Sequence, residues 1–370
     1  MPSAFGRPRK DVGLEGEGAL AKRITVGLPV YKGAEHIAKT LRCLQEQTYR
    51  DFDAIISVDG NDLETAEVCR PFLSDARFRL VVQPERLDWF GNFNWLLQQD
   101  LNEFFCYRQH DDTTAPDFFE VLLRTADEFP QAAAVYCDCQ WQGGRSDLEI
   151  APSIEGEPLE RLLQHLEQLH AVGVRGLIRR EAIAQAGPVR SDEFRALCGV
   201  FVWLAKVLRW GSFLRVPEPL YYRLDHADNY HKQWSHWPEE KRRAMWTTMF
   251  TGMMEAIMPV CATAEERLFA QHAILDRVVT FRPERPYLYI PSSPHSSGQL
   301  ISECLQRLSD EGSLDLLEVG ELPAFLQARV RLRELSAETA RLKDQLARLN
   351  RSRMLIMGRR IRHLLGRAVQ

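Results

Sequence analysis

Between Ile24 and Cys139 short apolar runs alternate with segments of helical periodicity, and this alternation restricts the fold more than any other feature. Residues 24–31 read as a buried strand that Gly33 breaks. Residues 35–47 then take helical spacing through Ile37, Leu41 and Leu44. The same strand-then-helix step repeats at 52–58 with 63–73, at 78–83 with 92–99 and at 104–108 with 118–129, and a further strand follows at 132–139. Such alternation predicts an α/β fold, a mostly parallel sheet flanked on both faces by helices. Ligands bind such sheets beyond the carboxyl ends of the strands. Two of those ends carry polar clusters, Asp59-Gly60-Asn61-Asp62 and His110-Asp111-Asp112.

Further along, the spacing predicts a helix at 159–169, a short strand at 173–178 and a helix at 201–208. Two edge strands are expected at 213–216 and 220–223, beside Pro217 and Pro219. After Tyr230 the pattern turns helical, at 237–258 and 265–279, with Thr263 and Glu266 spaced as a capping box. The proline-containing stretch 285–300 reads as a loop. The expected organisation is a flexible leader at 1–22, a catalytic-type domain at 23–230, a helical extension at 231–320 and a basic amphipathic tail at 321–370.

Charge is uneven. The 370 residues carry a net −4, yet from Arg329 onward 12 Arg or Lys stand against 3 Asp or Glu. A tail of net +9 on an acidic body implies a separate task for that tail. Leu332, Leu335, Thr339, Leu342, Leu346 and Leu349 follow heptad steps for a short distance, a weak coiled-coil signal. Arg351, Arg353, Arg359, Arg360, Arg362 and Arg367 alternate with Met354, Leu355, Ile356, Ile361, Leu364 and Leu365. That pattern suits an amphipathic helix on an anionic membrane surface, and equally a helix packed on protein. No run of about 18 apolar residues predicts a spanning helix, and the eight cysteines lack zinc-site spacing. A cytoplasmic protein with reduced thiols is expected, with peripheral contact at the inner face of the membrane as one task for the tail.

Local chemistry leaves alternatives open. Asp111 and Asp112 repel one another at a strand end, and a hard divalent cation such as Mg²⁺ or Mn²⁺ would relieve that repulsion. The same residues also make an ordinary helix start before Ala115-Pro116. Asp59 and Asp62 can serve a ligand or a turn.

Several pieces occur together and in order: Thr25-Val-Gly-Leu-Pro-Val-Tyr31, Leu41 to Tyr49, Ile55-Ile-Ser-Val-Asp59, Arg86 to Asn94, His110-Asp111-Asp112, Ala115 to Phe119, and Val216 to His226. Over about residues 23–230 this series resembles the family 2 glycosyltransferases, which have a GT-A, Rossmann-like fold and use nucleotide-diphospho-sugar donors. The resemblance implies that Pro29, Val30, Tyr31 and Glu35 line the base pocket, that Asp59 contacts the base, and that Asn94 lies beside the nucleotide-sugar. It implies that Asp112 binds the metal directly, that Asp111 holds ribose or a metal-bound water, and that His226 approaches the diphosphate or metal. Sugar transfer with inversion to a glycan, lipid-linked or protein acceptor would follow, as in polysaccharide biosynthesis, with no role for nucleic acid.

Inverting members need a general base. Their usual acid falls where this chain reads Leu197-Cys-Gly-Val-Phe-Val-Trp203, without a carboxylate. Asp192 and Glu193 are the nearest acids and the expected substitutes. The missing acid also supports a second reading, a non-catalytic nucleotide-sugar-binding or scaffold module. A nucleotidyltransferase would want a glycine-rich phosphate loop, for which Lys32-Gly33 is too little.

Overall fold

The computed structural model describes residues 22–280 apart from 193, 195–197, 227–228 and 230–236. The leader, the loop at 285–300 and the basic tail with its heptad and amphipathic signals lie outside the described residues.

The core begins with β1 (Ile24–Val30), in which every residue but Pro29 is buried. Burial on both faces is the mark of a central parallel strand. It pairs in parallel with β2 (Phe52–Val58) on one side and β4 (Phe104–Tyr107) on the other. On the far side of β2 lies β3 (Phe78–Val82), also parallel. The connecting helices are α1 (Ile37–Gln45), α2 (Leu63–Cys69) and α3 (Asp88–Leu97). Each buries an apolar stripe, in α1 through Ile37, Leu41 and Leu44. Beyond β4 come β5 (Thr113–Thr114), α4 (Phe118–Glu128), β6 (Ala132–Gly143) and β7 (Leu148–Glu149). They are followed by α5 (Pro158–Gln168), β8 (Leu177–Arg179), α6 (Arg180–Ala186), α7 (Gly199–Leu208) and β9 (Ser212–Asp225).

The strand order is β3-β2-β1-β4-β8-β6-β9-β5, with β7 on β6. It is the mixed, mostly parallel sheet with flanking helices that the alternation predicts. Two details differ. The expected strand at 173–178 is a 3₁₀ turn over Val172–Arg175 followed by the short β8, which runs antiparallel to both neighbours. The two expected edge strands are one strand, β9, lying between β6 and β5. Its prolines are accommodated by a bulge: the register passes from Cys137↔Val216 to Cys139↔Tyr221, so Pro217 and Pro219 fall where no ladder bond is needed.

After β9, α8 (Glu239–Ile257) packs on α7, and α9 (Ala264–Thr280) packs on α8 and α5. Gly252 lets α8 approach closely, since a Cβ there would stand 2.9 Å from Val202 Cγ2. The capping box at the start of α9 forms: the Glu266 amide donates to Thr263 Oγ1 at 3.1 Å, and the Thr263 amide to Glu266 Oε2 at 3.3 Å. Among the described residues no helix is long and apolar enough to cross a membrane.

Candidate active site

The parallel register of β1, β2 and β4 carries Tyr31, Asp59 and the 108–112 segment to one edge of the sheet. Asp59 extends the ladder, its amide donating to Val30 O at 2.8 Å. Its side chain is 2% exposed. One oxygen accepts from the Leu87 amide at 2.7 Å, and the other lies 2.9 Å from Arg86 Nε. Burial raises the Asp59 carboxyl above the ordinary carboxylate range, against the pull of Leu87 and Arg86. The Arg86 guanidinium carbon lies over the exposed Tyr31 ring, 3.1 Å from its centroid, and Arg86 Nε is 3.2 Å from Asp88. Asp88 opens α3 with φ of 60°, a left-handed conformation unusual for a residue with a side chain. Tyr31, Arg86 and Asp59 together form an aromatic and charged platform, able to stack a planar ring and to exchange hydrogen bonds with its edge.

Below the platform the backbone is pinned by polar contacts. Asn92 Nδ2 donates to Ser57 O at 2.9 Å, and Gln83 Nε2 to Ser57 Oγ at 2.9 Å. Asp62 accepts from the Lys32 amide at 2.7 Å, which fixes the turn leaving β1. Gly33 belongs to that turn, and a Cβ there would stand 2.8 Å from the His110 ring, so only glycine lets the histidine approach.

The two acids after β4 point in different directions. Asp111 accepts from His226 Nε2 at 2.9 Å and from Asn229 Nδ2 at 3.4 Å, and its Oδ1 is buried with no hydrogen-bond partner. Burial acts to raise this carboxyl, but His110 and the His226 hydrogen bond outweigh it and hold it below the usual range. The His226 ring packs on His36 with centroids 4.8 Å apart. Asp112 turns inward. It accepts from the Tyr221 hydroxyl at 2.9 Å and the Leu224 amide at 3.1 Å, with Arg175 Nε at 3.9 Å. Burial and the neighbouring Asp111 push its carboxyl up to about 6. Thr40 of α1 fastens this segment by donating to the carbonyls of His110 and Asp112, at 2.8 and 3.0 Å.

Both Asp112 oxygens are bonded within the protein, while the unpartnered oxygen belongs to Asp111. Asn94 holds the backbone of Val189: its Nδ2 donates to Val189 O at 2.7 Å and its Oδ1 accepts from Val189 N at 2.8 Å. Of the other expected residues, Glu35 is exposed, Pro29 half-buried and Val30 buried in the strand. Asp192 is half-buried and accepts from the Phe194 amide at 2.9 Å. Glu193 lies outside the described residues. The first turn of α7, where the usual acid would stand, begins at Gly199 and holds no acidic residue. Among the described residues no three His, Cys, Asp or Glu side chains are grouped as a ready cation site.

Arg86, Tyr221, Arg175 and Thr40 are site residues to which sequence reasoning gave no role. Arg86 had a signal, a cation just beyond the end of β3. The other three are revealed only by contacts across the sheet.

Residues 25–187 match the family described as Glycosyl transferase family 2. The chain is 29% identical over 92 residues to the amylovoran biosynthesis glycosyltransferase AmsB of Erwinia amylovora, covering 24% of this chain and 30% of that protein. It is 25% identical over 113 residues to the glycosyltransferase GlyA of Streptococcus pneumoniae, covering 30% of this chain and 16% of that protein. The chain thus spans less than a third of the length of either relative. In fold it is similar to residues 1–349 of S. aureus TarS, solved in complex with UDP-GlcNAc, with a TM-score of 0.55 at 12% identity, covering 80% of this chain and 94% of that one. The match, the strand order and the acids at the carboxyl edge agree: residues 25–187 are similar to glycosyl transferase family 2 and lie on a GT-A-type α/β fold.

Proposed function

We propose that the chain transfers a glycosyl group from a nucleotide-diphospho-sugar to a hydroxyl of a glycan, lipid-linked or protein acceptor, with inversion at the anomeric carbon. The observation that carries this reading is the convergence on one sheet edge of the Tyr31–Arg86–Asp59 platform with the Asp111–His226 pair. The nucleobase stacks on the platform, where Asp59 accepts from a ring N–H and Arg86 donates to a ring carbonyl. The TarS fragment of the same fold was solved with UDP-GlcNAc, which favours a uridine donor as the first to test.

A divalent cation, Mn²⁺ or Mg²⁺, fits the second element. Asp111 Oδ1 is a hard, buried acceptor without a partner, and His226 Nε2 stands beside the other oxygen. Such cations are commonly held by one or two protein ligands completed by substrate phosphates, so a ready cluster of three protein ligands is not required. Asp111 and His226 would hold the ion, which when bound neutralises charge on the departing diphosphate. Asp112 fixes the loop that aims Asp111. On the acceptor side Asp192 is the acid assigned to take the hydroxyl proton, with Glu193 as its alternative.

One observation favours a second reading. The absence of an acid from the first turn of α7 fits a module that binds a nucleotide-sugar without turning it over. Calorimetry and turnover on the full chain separate the two, using a panel of uridine and guanosine diphosphate sugars with Mn²⁺. Donor binding with slow hydrolysis or transfer is expected, and Asp111→Asn should lower Mn²⁺-dependent binding and turnover by at least about a hundredfold. Binding without turnover establishes the module. Unchanged Mn²⁺ dependence in Asp111→Asn removes the cation from this site. Membrane or coiled-coil contact through 329–370 remains the proposed task of the tail.

A further inference from the structure

The segment that follows α6 is held from two opposite sides. From the donor side, Asn94 of α3 binds Val189 reciprocally, one amide group meeting both the carbonyl and the N–H of a single residue. Two hydrogen bonds to one backbone unit fix its position and also its orientation, as a strand pairing would. Next to Asn94, Phe93 meets the Trp203 ring edge-on at 5.3 Å, and Trp203 Nε1 donates to Gly187 O at 2.8 Å. From the C-terminal side, Glu255 of α8 pairs with Arg190 at 2.6 Å, and the ring of Trp237, just before α8, approaches Phe194 at 6.4 Å. Three residues beyond Val189 stands Asp192.

The placement has a geometric consequence. α3 opens at Asp88, against Arg86 and the Asp59 platform, and Asn94 lies six residues along it, roughly 9 Å down the axis. One short rigid helix therefore carries the donor platform at its start and the grip on the Val189 backbone near its middle. The half-buried Asn94 amide spends one donor and one acceptor on a single backbone unit, so its orientation is tied to that of the segment it holds.

We propose that Asn94 is a positioning residue that sets the 187–192 segment, and with it Asp192, in register with the donor-binding helix α3. The proposal rests on the assignment of Asp192 to the acceptor side. Misplacing a catalytic group by about 1 Å can cost a hundredfold in rate, whereas donor binding, made by Tyr31, Arg86 and Asp59, is untouched by such a shift. A residue that only supported the fold would lower stability without separating kcat from donor KM.

The test uses the full chain with Mn²⁺ and the uridine or guanosine diphosphate sugar that it turns over. Asn94→Ala is expected to keep the donor dissociation constant within about twofold and to lower kcat at least about tenfold. Amide exchange in peptides covering 187–192 should quicken while β1 and β2 stay protected. Asn94→Asp, which keeps the acceptor for the Val189 amide and loses the donor to its carbonyl, should fall between wild type and Asn94→Ala in both readouts. It also serves if the alanine variant fails to fold. The proposal is overturned if kcat stays within about twofold of wild type, if donor KM rises with kcat unchanged, or if exchange at 187–192 does not change. Wild-type protein without turnover would instead defeat the transferase reading. The exchange measurement still decides in that case whether Asn94 holds the segment.

Discussion

The half of the sheet built from β1 to β3 and the half built from β6 and β9 treat their charges in opposite ways. Along the first, Asp59, Asp62 and Arg86 sit just past strand ends, where backbone amides and exposed side chains satisfy them. Along the second, charges lie inside. Arg215 pairs with Asp138 through two contacts of 2.6 and 2.7 Å, and Arg223 and Trp141 both donate to Glu149, at 2.8 and 3.1 Å. Asp59 is as buried as the interior acids, but its partner Arg86 is exposed and can change partners when a ligand arrives. Interior charges have lost their hydration and depend on fixed partners, so their work is to hold geometry. The first half therefore presents groups to a ligand, and the second keeps the loops between β4, β8 and β9 in place.

Asp112 lies between the halves: it follows β4, the neighbour of β1, and its carboxylate accepts from Tyr221 and Leu224 of β9. Removing it should produce the largest effect. Asp112→Ala leaves the Tyr221 hydroxyl and the Leu224 amide without their acceptor and Arg175 without its nearest charge. Breaking a buried pair in this way costs about 3–5 kcal/mol. Asp111→Asn, one residue earlier, should change stability by less than about 1 kcal/mol while removing Mn²⁺-dependent binding. Urea denaturation of the two variants checks the contrast. Equal losses would show that the two acids are not divided between structure and ligand.

An intermediate effect is expected from pH. His165 of α5 is fully buried, with Nε2 donating to Phe201 O at 2.8 Å, and burial lowers its imidazole to about 4. The folded state therefore resists protonation that the unfolded chain accepts near pH 6.5. Stability is complete above that value and falls as pH drops from about 6.5 towards 4. Between pH 7 and pH 5 the loss from this group is about 2 kcal/mol. Burial lowers His110 as well, so the comparison must be with a variant. His165→Gln, which can still donate to the Phe201 carbonyl, should lose correspondingly less over the same interval. A variant as acid-sensitive as wild type would place the sensitivity elsewhere, with His110 at the strand edge.

The same division decides what was legible in the sequence. The strands 24–30, 52–58 and 78–82, with the polar clusters at their ends, could be read because each needs only local periodicity and the rule that ligands sit beyond parallel strand ends. The roles of Asp111 and Asp112 could not be told apart, because the hydroxyl that claims Asp112 is 109 residues away in sequence. Nor could Asn94 be separated from a ligand contact, since its partner is the backbone of Val189, 95 residues on, and a backbone leaves no trace in residue type. Pro217 and Pro219 argued locally for edge strands. Only the bulge opposite Asp138 shows how one interior strand tolerates both. The capping box at Thr263–Glu266 was fully legible because both partners lie within one helical turn.

Asp62 gives the smallest and most local expected effect. From sequence its carboxylate could equally serve a ligand or a turn. In the structure Oδ1 accepts from the Thr65 amide at 3.2 Å, and Oδ2 accepts from Thr65 Oγ1 at 2.6 Å and from the Lys32 amide at 2.7 Å. It caps α2 and at the same time holds the turn in which Lys32 takes a φ of 51°. Burial tends to raise this carboxyl, but the hydrogen bonds from Thr65 and Lys32 prevail and lower it. Its contribution to stability is therefore present above the ordinary carboxylate value of about 4 and is lost as pH falls below it. Asp62→Ala should cost about 1 kcal/mol, the usual value of an N-cap. Asp62→Asn, which keeps one acceptor oxygen, should cost less. Donor affinity should fall in Asp59→Asn and hold within about twofold in Asp62→Ala, because Asp62 bonds only Thr65 and the Lys32 amide while Asp59 holds Arg86 against the Tyr31 ring. A loss of affinity in Asp62→Ala matching that of Asp59→Asn would mean that the first half presents both acids to the ligand, and the turn at Lys32 would then belong to the binding site.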